Sequence, residues 1–105
     1  MGLTSYIPAQ PQWYAEPKQV HVRYERIAKA KETFFGEYAV EIRVNGETQT
    51  ALVPADAVDE SQKTVVAYEV GELQDNVFIY LPPSSMGRTV LQIKKSRLAD
   101  IVFAA

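Results

Sequence analysis

His21 is the only histidine in this 105-residue chain, and there is no cysteine. A metal centre would therefore need carboxylates for nearly all its ligands, and thiolate or disulfide chemistry is excluded. Asp56, Asp59 and Glu60 form the one acidic cluster that could do acid–base work or hold a hard cation. A calcium loop alternates oxygen ligands around a glycine at its sharpest bend, and this stretch has none. It reads instead as a solvated turn whose charges suit the start of a helix. His21, between Val20 and Val22 on the polar side of an alternating run, reads as an ordinary exposed or edge histidine. Ser84-Ser85-Met86-Gly87-Arg88-Thr89 has the composition of a phosphate-cradling loop without its spacing or its lysine. No set of residues is predicted for catalysis, a cofactor or a metal.

The remaining chemistry is that of binding. Arg23, Tyr24, Arg26, Lys29, Lys31, Phe34 and Phe35 interleave cations with rings, and Arg88, Lys94, Lys95 and Arg97 form a second basic run. Single-strand nucleic-acid binders combine such features. The pI of 5.4 argues against a dedicated nucleic-acid domain. Residues 1–31 carry a net +3, residues 32–80 a net −8 and residues 81–105 a net +3. Flanks and centre that are neighbours in one sheet would offset each other, whereas a segregated basic face would suit an anionic partner. Trp13 and Tyr14 lie in a proline-punctuated stretch with Pro8, Pro11 and Pro17, and an aromatic cluster gains little by staying in water. That stretch, residues 1–17, reads as an extended arm partly docked on the domain, with Pro8 and Pro11 also suiting a proline-rich ligand. The candidate partner-binding residues are Trp13, Tyr14, Arg88, Lys94, Lys95 and Arg97.

The elements that must position these residues are strands. Tyr38 to Val44 and Glu47 to Val53 alternate apolar and polar residues around Asn45-Gly46, a pair that tolerates positive φ at both centres of a two-residue hairpin loop. Val20, Val22 and Tyr24 alternate in the same way, while Thr64 to Val70 is rich in β-branched residues and is followed by Gly71 and a polar turn to Asn76. Val77 to Leu81 is wholly apolar, which suits a central strand. Thr89 to Ile93 and Ile101 to Phe103 complete the set, and Pro54 to Val58 and Ser96 to Asp100 read as helical turns. Residues 26 to 35 suit either a short helix stopped by Gly36 or a long loop. The expected core contains Val22, Tyr24, Val40, Ile42, Val66, Val77, Ile79, Leu91, Ile93 and Leu98.

The fold class is therefore all-β, or mainly β with short helical turns, in a small barrel or strongly bent antiparallel sheet of six to seven short strands. Residues 18–105 form one domain, and half-repeats 20–60 and 64–103 suggest an internally duplicated pseudo-two-fold barrel. The offsets are 44 for Val22 and Val66, 41 for Gly46 and Gly87, and 40 for Val53 and Ile93. The opening residues lack the pattern of a signal peptide and no apolar run approaches a membrane span, so a soluble cytoplasmic protein without a membrane partner is expected. The leading function is a non-enzymatic module that binds a protein partner or self-associates. The alternatives are an oligonucleotide-binding accessory and, third, a small-ligand-binding domain or enzyme.

Overall fold

The computed structural model describes residues 10–28 and 36–105. Most of the described residues are in strands, and among them there is one short helix. Strand β1 is Gln12–Arg23, β2 Arg26–Ala28, β3 Glu37–Val44, β4 Glu47–Pro54, β5 Val58–Asp59, β6 Thr64–Leu73, β7 Asn76–Tyr80, β8 Val90–Lys94 and β9 Val102–Ala104. Helical turns at Ala55–Ala57 and Lys95–Arg97 follow β4 and β8, the second running into helix α1, Leu98–Ile101. The larger sheet has the order β8-β7-β6-β1-β9, with β5 paired to β6, and curls into a half-barrel of antiparallel strands. The smaller sheet is β2-β3-β4.

Alternation decides which side of each strand is buried. Val40, Ile42 and Val44 of β3 and Ala51 and Val53 of β4 join Val20, Val22, Val65, Ala67, Val77, Ile79, Leu91 and Ile93 of the larger sheet in a single core. The chain passes between the sheets at Tyr24-Glu25: the amide of Tyr24 donates to the Lys63 carbonyl at 3.0 Å, and that of Glu25 to the Glu41 carbonyl at 2.7 Å. Asn45 and Gly46 have φ of 53° and 85°, as the hairpin loop requires. The side-chain amide of Asn45 also reaches β8, donating to the Gln92 carbonyl at 3.0 Å and accepting from the Lys94 amide at 2.9 Å. One side chain thus closes the gap between the sheets as a strand's backbone would.

Several expectations change. Arg26–Ala28 is a strand paired with β3 rather than the start of a helix, and the rest of the 26–35 stretch, with Lys29, Lys31, Phe34 and Phe35, lies outside the described residues. Val66 is half-buried because the inward residues of β6 are Val65 and Ala67, and Leu98 is half-buried at the core margin. Gly71 lies inside β6, not in a turn: the strand continues to Leu73, with a register irregularity between Glu69 and Gly71. The first strand begins at Gln12, so Trp13, Tyr14 and Pro17 belong to the sheet, and residues 1–9 lie outside the described set. Pro17 falls where the β1–β6 register shifts, a position at which a missing amide costs little.

Each hairpin, β3–β4 and β7–β8, is followed by a helical turn and a short strand. Ala55, at the start of the first turn, donates to the Gly36 carbonyl at 2.9 Å, and Lys95, at the start of the second, donates to the Asp75 carbonyl at 2.7 Å. The short strand of each half crosses over: β5 pairs with β6, and β9 with β1.

Candidate functional site

Residues directly opposite each other in antiparallel strands share a face, so the register gives the make-up of the larger sheet's outer surface, the side turned from the core. One cross-strand row is Gln19, Tyr68, Tyr80 and Val90. The next is Trp13, Gly71, Phe78 and Gln92. On the other side of the first row lie Phe103, His21 and Val66. This surface is unusually apolar for one that faces water: Trp13 is 56% exposed, Tyr68 42% and Val90 47%.

Glycine makes the second row possible. A Cβ on Gly71 would lie 2.7 Å from both the Gln12 carbonyl oxygen and Cε3 of Trp13. Without it, the indole lies across the glycine and meets the Phe78 ring at 5.4 Å between centroids. Trp13 is therefore docked on one side and open on the other. Tyr14 turns to the opposite face, where its hydroxyl donates to Oε2 of Glu72 at 3.1 Å. Removal from water, and then the carboxylates of Glu69 and Glu72, push its ionisation well above the ordinary tyrosine range.

Beside the Tyr68–Tyr80 row the outer surface deepens into a groove of about 760 Å³. Its floor is Val66, Tyr68, Val70 and Tyr80; Pro82, Pro83 and Arg88 form one wall, and Pro17, Asp56 and Ala57 complete the rim. The Arg88 guanidinium stacks over the Tyr80 ring at 4.9 Å, which steadies a long side chain at the groove edge. The loop that delivers Arg88 is itself held. Ser84 and Gly87 exchange backbone hydrogen bonds at 2.9 and 3.0 Å, and Glu37 accepts from the Ser85 amide at 2.7 Å and from its hydroxyl at 2.6 Å. Sheet register, a tight turn and a carboxylate anchor thus pre-form the groove.

No protein-family model, curated protein or solved structure matches this chain.

The six residues singled out in the sequence fall in three places. Arg88 lines the groove and Trp13 lies on the same outer surface. Tyr14 and Lys95 meet at Glu72, whose Oε1 is 3.3 Å from the Lys95 ammonium. Lys94 and Arg97 flank the Asn45-Gly46 loop: Lys94 bonds to Asn45 through its amide, and Arg97 and Gly46 share a small cavity. The basic run, clustered within residues 88–97, thus divides among three places in the fold. Lys18, 3.9 Å from Glu69, adds a second pairing of a basic flank with the acidic centre.

Tyr68, Tyr80, Pro82 and Pro83 were not singled out in the sequence. Their signal was a row of tyrosines at non-core positions, which only the pairing of β6 with β7 brings together. His21 is half-buried in β1, between β6 and β9, rather than exposed or at an edge. Asp59 accepts from the Ser61 hydroxyl at 2.6 Å and from the Ser61 and Gln62 amides at 3.0 and 3.2 Å. Those bonds, the hydroxyl's first, hold its carboxyl below the usual carboxylate range and tie the acidic cluster into a local turn.

Proposed function

We propose that this protein is a non-enzymatic interaction module whose binding surface is the outer face of the larger sheet, and that it takes an extended, proline-containing peptide segment of a protein partner. The observation that carries the reading is the pre-formed groove lined by Tyr68, Tyr80, Pro17, Pro82 and Pro83. Flat rings set side by side offer slots for the pyrrolidine rings of a polyproline II segment, which loses little conformational entropy on binding. Asp56 and Arg88, both lining the groove, supply polar contacts that can fix the direction of the bound chain. The expected affinity is that of a small, shallow interface, weak and readily reversible.

A decamer of proline is a suitable probe. It should bind the native chain, and Tyr68→Ala should weaken binding about tenfold or more, as loss of an aromatic anchor does. Equal affinity for both proteins would refute the assignment. Single-stranded nucleic acid is the second reading, favoured by Arg23 over the Phe103 ring at 4.8 Å and Arg88 over Tyr80 on the same surface. It predicts instead tight binding of an oligothymidylate that falls steeply with salt.

The two halves are further proposed to be copies of one unit. Val58 pairs with Val65 as Val102 pairs with Val22, which supports an offset of 43 rather than 44 between β1 and β6. An offset of 44 would match inward Val22 to outward Val66.

A further inference from the structure

We infer that the peptide taken by this groove is acidic as well as proline-containing, and that a pocket across β6 from the groove holds its carboxylate. The inference rests on the reading of the groove as a proline-peptide site and names a second feature of its ligand. The pocket, of about 320 Å³, is lined by His21, Arg23, Gln62, Thr64, Phe103 and Ala104. It opens on the same outer surface, where Arg23 pairs with Thr64 beside the pair of His21 with Val66. Val66 is also part of the groove floor. The two cavities therefore meet at one cross-strand pair, whose Cβ atoms are about 5 Å apart. A chain that leaves the groove over Val66 enters the pocket at His21.

The lining selects the group that is bound. His21, Arg23, Gln62 and Thr64 all carry hydrogen-bond donors, and among the described residues that line the pocket none is acidic. Such a set pairs best with an acceptor that bears negative charge. The guanidinium carbon of Arg23 lies 4.8 Å from the centroid of the Phe103 ring, a contact that holds this exposed side chain beside the pocket. Arg23 is the permanent cation of the lining, and Asp59 stands opposite Thr64 on β5 with its Oδ1 held by Ser61 and Gln62. One cation with a fixed carboxylate nearby suits a single negative charge, so a carboxylate fits better than a phosphate dianion. The strands set the spacing. Four residues of β6, from Tyr68 to Thr64, cover about 13 Å, and the step across to Arg23 adds about 5 Å at right angles. The charge is then about 14 Å from the tyrosine row, or about four to five residues of polyproline II.

The test uses the full-length chain and end-blocked peptides, Pro-Pro-Pro-Pro-Ala-Ala-Ala-Glu-Ala-Ala and its reverse, each beside a counterpart with Gln in place of Glu. Both directions are needed because a polyproline II segment can enter a groove either way round. In one of them the native chain should bind the Glu peptide about tenfold more tightly than the Gln peptide, the usual worth of a hydrogen bond to a charged group. Arg23→Gln should abolish that preference. Failure of the Glu peptides to bind more tightly than their Gln counterparts, while the proline decamer binds, would overturn the carboxylate pocket and leave the groove a peptide site. A preference that survives Arg23→Gln would overturn it as well. Tight, salt-sensitive binding of an oligothymidylate that Arg23→Gln abolishes would assign the pocket to a nucleic-acid phosphate instead. If neither these peptides nor the proline decamer bind, the groove and the pocket are overturned together.

Discussion

Gly71 carries a constraint that its residue type alone does not disclose. Its backbone is in an ordinary extended region, and the need for glycine comes from Gln12 and Trp13 of the neighbouring strand. Gly71→Ala should force β1 away from β6 and cost ~1–3 kcal/mol, the usual range for overpacking. Because Trp13 is the only tryptophan, its emission should shift to the red in the native state of the variant. An unchanged spectrum and denaturant midpoint would show that the indole does not lie where the glycine admits it. Tyr14 makes a second prediction. Its ionisation is raised on folding, so its contribution to stability is complete below the unfolded-state value of about 10 and is lost as pH rises beyond it. The native chain should therefore lose stability above about pH 10 more steeply than Tyr14→Phe, in denaturant titrations at a series of alkaline pH values. Parallel losses would place the hydroxyl in solvent.

At the scale of elements, the hairpin was legible because Asn45-Gly46 satisfies a local demand for positive φ, and the helical turns because Pro54 and the Ser96 region mark their starts. The bridge from Asn45 to β8 was not legible, since it joins residues 47 to 49 positions apart in sequence. Asn45→Gly separates these two roles, keeping the turn conformation while deleting the amide. It should cost about 1–3 kcal/mol, the net worth of two hydrogen bonds, and speed amide exchange at Lys94. Exchange as slow as in the native chain would mean that β8 is held without it. The expected inward residues of β3, β7 and β8, namely Val40, Ile42, Val77, Ile79, Leu91 and Ile93, are buried, but the expectation failed on β6. There Val65, Val66 and Ala67 are all small and apolar, and the side each takes is set by pairing with β1 and β5. The candidate site suffered in the same way: Arg88 and Trp13 were visible as residue types, while the Tyr68–Tyr80 row exists only through the register of two strands.

For the whole molecule, the fold brings two residues of the basic flanks against the acidic centre. Lys18 meets Glu69 and Lys95 meets Glu72, so basic flanks lie against the acidic centre. Exposed pairs of this kind add little stability, but they leave no broad cationic surface from these residues. What the fold concentrates instead is aromatic and proline surface on one side of the curled sheet. Whether that surface binds is read from a shift map: amide resonances of the native chain recorded as proline decamer is added. The changes should be concentrated at Val66, Tyr68, Val70, Tyr80, Leu81 and Arg88, with Lys94 to Arg97 unmoved. Changes centred on the Lys94 to Arg97 turn, or none at millimolar peptide, would contradict the assignment of this face as the binding surface.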